Sequence, residues 1–186
     1  MKKSRFEELY KTKIHPELIK DLKLENPMQV PKIEKIVLNI GLKDAVTDSK
    51  VVPLVKDILS NIAGQAAVKT LARKSIAGFK LRQGVPIGVM VTLRKNAMYH
   101  FLDKLINLVL PAVRDFQGVK STLDGNGNFN LGLKDWLVFP EVDYDTTDKT
   151  RGMNITIHTS ARVDDHARML LEKFNMPFIE KREKRG

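Results

Sequence analysis

The chain has 186 residues, 42% of them hydrophobic, and no cysteine. That suits one domain of about 150 to 200 residues with a real core, and it excludes disulfides, thiolate nucleophiles and Cys-based zinc sites together, as a reducing compartment would. Lys and Arg number 32 against 22 Asp and Glu, a formal charge of +10, so the expected partner is a polyanion, nucleic acid before a membrane surface, rather than an acidic small molecule.

The first residues are charged and carry no signal-type apolar segment. No apolar run approaches the roughly 18 residues needed to span a bilayer, so a cytoplasmic protein without membrane contact is expected. Ser4 and Glu7 form a capping-box pattern ahead of Phe6, Leu9, Tyr10 and Ile14 at helical spacing, and Pro16 is expected to bend or restart that helix. Residues 26–31, with two prolines, make a connector. Residues 32–41 then alternate, placing Ile36, Leu38 and Ile40 on one face of a strand and Val37, Asn39 and Gly41 on the other. Asp48 is placed to cap a helix bearing Val51 to Ile62, with Gly64 as its stop.

From residue 58 to residue 102 there are 45 positions without one Asp or Glu. Seven cations lie among them: Lys69, Arg73, Lys74, Lys80, Arg82, Arg94 and Lys95. The bland alternative is a solvated basic face. A stretch of this length without a neutralising carboxylate points instead to a run of phosphates, whose condensed counterions are released on contact. A strand is expected over 65–71. Residues 73–86 show neither a 2-residue nor a 3.6-residue apolar period and read as a long exposed loop, poised for a partner by its four cations and Phe79. A strand resumes at Ile87, with Val89, Val91 and Leu93 inward and Gly88, Met90, Thr92 and Arg94 lining the opposite face beside Asn39.

Asn96 is expected to cap the next helix, whose stripe of Phe101, Leu102, Leu105, Leu108 and Val109 ends at Pro111. Residues 124–128, Asp-Gly-Asn-Gly-Asn, read as a hairpin-like turn before a strand from Phe129 to Leu133. Asp143 and Asp145 have the spacing of a calcium loop, but Asp148 stands where that loop needs Gly and Asn154 where it needs Glu, so no metal is assigned. A strand over 152–160 turns Asn154, Thr156, His158 and Ser160 away from the core. Asp164 is expected to cap a final helix, and a basic tail follows it.

No phosphate loop, dinucleotide fingerprint, nucleophile elbow or zinc-protease motif occurs, and the four histidines are scattered, so no catalytic residue and no cofactor is assigned. The alternative function, an RNA-modifying or phosphoester-acting enzyme with the basic loop as clamp, lacks a converging polar set near that loop. Aromatics are too few for base stacking on strands. A polar sheet face with Asn39, Gln65, Lys69, Thr92 and Arg94 suits backbone, 2′-hydroxyl and groove-shape contacts on structured RNA.

Four segments in order carry a resemblance: Pro31-Lys-Ile-Glu-Lys-Ile-Val-Leu-Asn-Ile-Gly41, the block 64–88, Val113-Arg-Asp-Phe-Gln-Gly118, and Phe139-Pro-Glu-Val-Asp-Tyr-Asp145 followed by Arg151-Gly152. Together they resemble the bacterial members of the universal large-subunit ribosomal protein family that binds 5S rRNA. Ala66-Ala67, where the family often has Lys-Pro, and Gln83, where Glu is frequent, are small departures. The resemblance implies an α+β fold: one domain over 1–186, an antiparallel sheet with helices on one face, an open face for 5S rRNA in the central protuberance, and a long basic loop. It implies neighbours among the large-subunit rRNA and proteins. It also implies that Arg73, Lys74, Phe79, Lys80 and Arg82 reach peptidyl-site tRNA, and that a small-subunit head protein is contacted across the subunit interface. For that protein contact the expected surface is Arg114 and Asp115 together with Glu141, Asp143 and Asp145; the acidic groups Glu141, Asp143, Asp145 and Asp148 cannot face phosphates without repulsion.

Overall fold

Alternating stretches of sequence become neighbouring strands of one sheet in the computed structural model, which describes residues 4–143 and 149–179. Strand β1 (Ile33–Gly41) lies at the centre of five antiparallel strands in the order β2-β3-β1-β5-β4, with β2 at Val68–Leu71, β3 at Pro86–Leu93, β4 at Phe129–Leu133 and β5 at Met153–Thr159. Ile36, Leu38 and Ile40 of β1 are wholly buried, and their cross-strand neighbours Leu93, Val91, Val89, Ile157 and Ile155 continue the same apolar side. Each such side chain contributes about 1.5–3 kcal/mol by leaving water. The period of two therefore fixes which side of the sheet the helices cover.

Helix α3 (Val51–Ala63) packs on β3, with Val55, Leu59 and Ile62 buried, and ends at Gly64 in the left-handed conformation (φ 64°), as its place in the sequence predicts. Helix α4 (Lys95–Lys104) crosses β1 and also receives α1 (Arg5–Leu9). Helix α6 (Asp164–Lys173) adds Ala167, Leu170 and Leu171 to the core, and Phe174 beyond its end stacks on Tyr10 and sits beside Phe6 and Tyr99.

Two prolines that were expected to bend or end helices are instead absorbed by wider turns. Residues Tyr10–Ile14 are π-helical and join α1 to α2 (His15–Asp21), and Leu105–Val109 are π-helical and join α4 to α5 (Leu110–Ala112). Pro16 and Pro111 lie just past these turns. A proline lacks the N–H that an α-helix would use and its ring crowds the carbonyl four residues back, and a wider turn relieves both.

Three expected caps are corrected. Ser4 does precede α1, but its buried hydroxyl has no partner among the described residues and no side-chain cap bond forms. Arg94, not Asn96, stands at the N-cap of α4, and the Asn96 side-chain oxygen is likewise buried and unpartnered. Asp164 is the first residue of α6 rather than its cap, because its carboxylate is engaged elsewhere: it accepts backbone N–H bonds from Gly125 and Gly127 at 3.1 and 2.9 Å. Asp48 comes nearer to expectation, accepting from the Lys50 N–H at 2.9 Å just ahead of α3.

The region between β2 and β3 is exposed as expected, but it is not irregular. Ala72 N–H donates to Val85 O (2.9 Å), Ile76 and Leu81 exchange backbone bonds (2.9 and 3.1 Å), and Ser75 Oγ accepts from Gln83 N–H (2.9 Å). The expected loop is thus the prolongation of a β2–β3 hairpin. Its missing apolar period reflects exposure on both faces rather than absence of pairing.

Candidate nucleic-acid interface

The side of the sheet turned away from the helices is built from rows that run across the strands. One row reads Val68, Met90, Asn39, Asn154 and Gly132; the next reads Thr92, Val37, Thr156 and Asn130; a third begins with the pair Lys35 and His158. None of these paired positions is Asp or Glu. Glu34 sits at the margin, where the β1–β5 register shifts. Asn39 and Thr92, both half-buried, stand where the alternation placed them, and the exposed Arg94 continues the same side past β3.

Gln65 lies outside the strands in the turn after α3. Its amide Nε2 donates to the Thr92 carbonyl at 3.2 Å, which closes the edge of β3 where β2 has not yet begun. Lys69 corrects the expected grouping. Its cross-strand partner is Val89, a core-side residue, so Lys69 projects to the helix side of the sheet at an exposed edge. The expected strand over 65–71 starts only at Val68, and the pairing of Val68 with Met90 and of Thr70 with Gly88 puts those two, not Lys69, on the open side.

Residues outside the expected binding set complete the face. Thr156 Oγ1 donates to Asn130 Oδ1 at 2.7 Å on an exposed part of the face. His158 Nδ1 is 3.1 Å from Asn128 Oδ1, and Asn128 Nδ2 donates to Asp124 Oδ2 at 2.8 Å. These bonds hold the Asp124 carboxyl below the usual carboxylate range, the Asn128 side chain contributing most. Burial, then Lys35 and Arg94, lower the pKa of His158 against the opposing pull of Asp124 and Glu34, which favours the neutral ring. The alternation of 153–159 already set Asn154, Thr156 and His158 on this side. What it could not supply was the pairing of β5 with β1, which sets Asn154 opposite Asn39, Thr156 opposite Val37 and His158 opposite Lys35.

Phe79 stands at the hairpin tip with 75% of its surface exposed, and Lys80 beside it adopts a left-handed conformation (φ 52°). Arg73, Lys74, Lys80 and Arg82 are exposed, and none forms an ion pair among the described residues. No carboxylate among the described residues claims a positive charge of this finger.

The expected protein-partner surface is less uniform. Arg114 and Asp115 are exposed on the loop after α5 and line a groove of about 640 Å³ with Lys134, Leu137 and Ile179. Glu141 is engaged within the molecule: it accepts from Lys104 Nζ at 2.6 Å, while the same ammonium donates to Ile62 O at 2.7 Å and lies over the rings of Phe101 and Phe139. Asp143 is exposed. Asp145, and Asp148 of the calcium-loop pattern, fall outside the described residues.

Comparison with known proteins places this sequence among ribosomal proteins. The family model described as "Ribosomal protein L5" matches residues 26–82, and the model describing the C-terminus of the same ribosomal family matches residues 86–178. The division falls in the β2–β3 hairpin, so both parts contribute strands to the same sheet. "Large ribosomal subunit protein uL5" of Geobacter sulfurreducens is 56% identical over 94% of this chain and 98% of its own length. The proteins of that name from Geotalea uraniireducens and Burkholderia mallei are each 52% identical over the same shares. With matches of this strength over nearly the whole chain, the protein belongs to the ribosomal protein L5 family of the large ribosomal subunit.

Proposed function

We propose that the open face of the sheet binds 5S rRNA and thereby holds the protein in the central protuberance, beside the large-subunit rRNA and other large-subunit proteins. The observation that carries this reading is the composition of that face: rows in which Asn, Thr and His alternate with Val37, Met90, Val68 and Gly132, whose paired positions include no carboxylate, flanked by Lys35 and Arg94. Cations supply affinity through phosphates, while uncharged donors and acceptors on a flat, rigid sheet meet 2′-hydroxyls and groove edges. The basic hairpin, with Phe79 at its tip, reaches peptidyl-site tRNA. The surface of Arg114, Asp115 and the segment from Glu141 meets a basic protein of the small-subunit head across the subunit interface. Membership of a ribosomal family sets aside the enzyme alternative and places the protein on the ribosome of the cytoplasm.

The test is a gel-shift titration of 5S rRNA against an unrelated structured RNA of equal length. The intact protein is expected to prefer 5S rRNA. Asn39→Leu and Thr92→Val are expected to fold normally and to keep weak, charge-driven binding while losing the preference. No preference in the intact protein overturns the 5S reading. A preference that survives both substitutions overturns only the placement of its surface.

A further inference from the structure

We propose that His158 offers its unprotonated Nε2 as a hydrogen-bond acceptor to a 2′-hydroxyl of the bound RNA, and is a residue by which this face distinguishes RNA from DNA. The inference rests on the RNA-binding reading above and assigns a chemical role within it.

Asp124 fixes the orientation of its neighbours. Its carboxylate accepts the backbone N–H groups of Asn126 and Asn128, each at 2.9 Å, and its other oxygen accepts Asn128 Nδ2 at 2.8 Å. A carboxylate so supplied with donors stays ionised, and only the NH₂ end of Asn128 can face it. The carbonyl end, Oδ1, must then face His158 Nδ1, 3.1 Å away. An amide oxygen can only accept, so Nδ1 carries the ring proton. In a neutral imidazole the other nitrogen is then a bare acceptor.

The surroundings keep the ring in that form. Lys35 and Glu34 approach from β1, Arg94 from the end of β3, and Asp124 with Asn128 from the turn before β4. Burial first, then Lys35 and to a smaller extent Arg94, disfavour a positive ring against the opposing pull of Asp124 and Glu34. Among the described residues no protein group takes Nε2. His158 therefore sits on the open side beside Lys35, with Arg94 beyond it on the same flank and Asn128 on the other, and with one acceptor unclaimed. A ribose 2′-hydroxyl is a donor that RNA has beside every phosphate and DNA lacks.

Two measurements test this. Nitrogen-15 spectra of the full-length protein are expected to show the Nδ1–H tautomer at His158, becoming a tautomer mixture in Asn128→Ala. A dominant Nε2–H form in the intact protein overturns the proposal without reference to RNA. In the second measurement, 5S rRNA pools carrying sparse 2′-deoxy or inosine substitutions are selected for binding to the intact protein and to His158→Phe. One deoxy position that interferes with binding to the intact protein is expected to become neutral for His158→Phe, with a loss of about three- to tenfold in affinity for unmodified RNA. An unchanged deoxy pattern overturns the proposal. Loss of an inosine interference instead overturns the hydroxyl assignment in favour of a base amine. If the intact protein itself selects no 5S rRNA, the underlying 5S reading fails, an outcome distinct from the others. Should His158→Phe fold poorly, Asn128→Ala serves in its place, with the deoxy interference expected to weaken there; an interference of full strength in that variant overturns the proposal.

Discussion

Gly127 shows how much a single position can carry. Its φ is +74°, and a Cβ placed there would lie 2.5 Å from the Ala161 carbonyl oxygen, a backbone atom that cannot swing aside. Gly125, two residues earlier, has a similar φ of +84° but open space around it. Gly125→Ala is therefore expected to cost about 1 kcal/mol from backbone strain alone, and Gly127→Ala at least about 2 kcal/mol, because the clash adds to the strain. Denaturant midpoints of the two variants check the ordering, and equal midpoints would show that the loop simply shifts. The same loop explains why Asp164 does not cap its helix. In sequence it looks like a cap, since helix starts favour Asp, but its two donors lie 37 and 39 residues away and leave no local trace. Ser4 and Asn96 teach the complementary lesson: the right residue at a helix start does not guarantee that its side chain takes the capping bond.

At the scale of elements, packing and charge separate cleanly. The π-helical turn Tyr10–Ile14 carries Tyr10 into a cluster with Tyr99 and Phe174, where its hydroxyl donates to Pro31 O at 3.1 Å. Burial pushes its pKa from 10.0 up to about 12, and Tyr99 is raised as well, first by burial and then by Tyr10. The folded state thus holds the phenol proton more tightly than the unfolded chain. The stability this represents is complete below the unfolded pKa of 10.0 and is lost as pH rises towards about 12. Denaturation monitored with tyrosinate absorbance is expected to show weakening stability across that window, and Tyr10→Phe is expected to flatten it. A wild-type curve independent of pH there would mean that the ring is wetter than its packing shows. The β2–β3 hairpin is the opposite case, held by backbone bonds with its charges outward. Replacing Lys74, Lys80 and Arg82 together with Ala is expected to change stability by no more than about 0.5 kcal/mol per site, while weakening tRNA binding. A large loss of stability would show that these side chains pack. The pairing inside this finger is illegible in the sequence because both of its faces are wet, so no period-two signal exists to read.

Over the whole molecule, what can be read in advance follows from burial. Ile36, Leu38, Ile40, Val91 and Leu93 alternate because one side of the sheet is dry, and that alternation also places Asn39 and Thr92. Where burial is absent the pattern gives no guide. The edge strand β2 is exposed on both sides, at Val68, Lys69 and Leu71 alike, so its phase has no anchor in the sequence and Lys69 falls on the side opposite to the expected one. This difference yields a sharp test of the interface, because Arg94 and Lys69 carry the same charge in the same carboxylate-free stretch but face opposite sides. If RNA lies on the open face, Arg94→Ala and Lys35→Ala should each lower the slope of log affinity against log salt by about one unit. Lys69→Ala should leave that slope nearly unchanged, since its ammonium projects from the helix side. Were net charge alone responsible, as a diffuse basic surface would have it, all three substitutions would act alike. Titrations of each variant with 5S rRNA at three salt concentrations distinguish these outcomes. A slope lowered as much by Lys69→Ala as by Arg94→Ala would move the RNA off the face and onto the sheet edge.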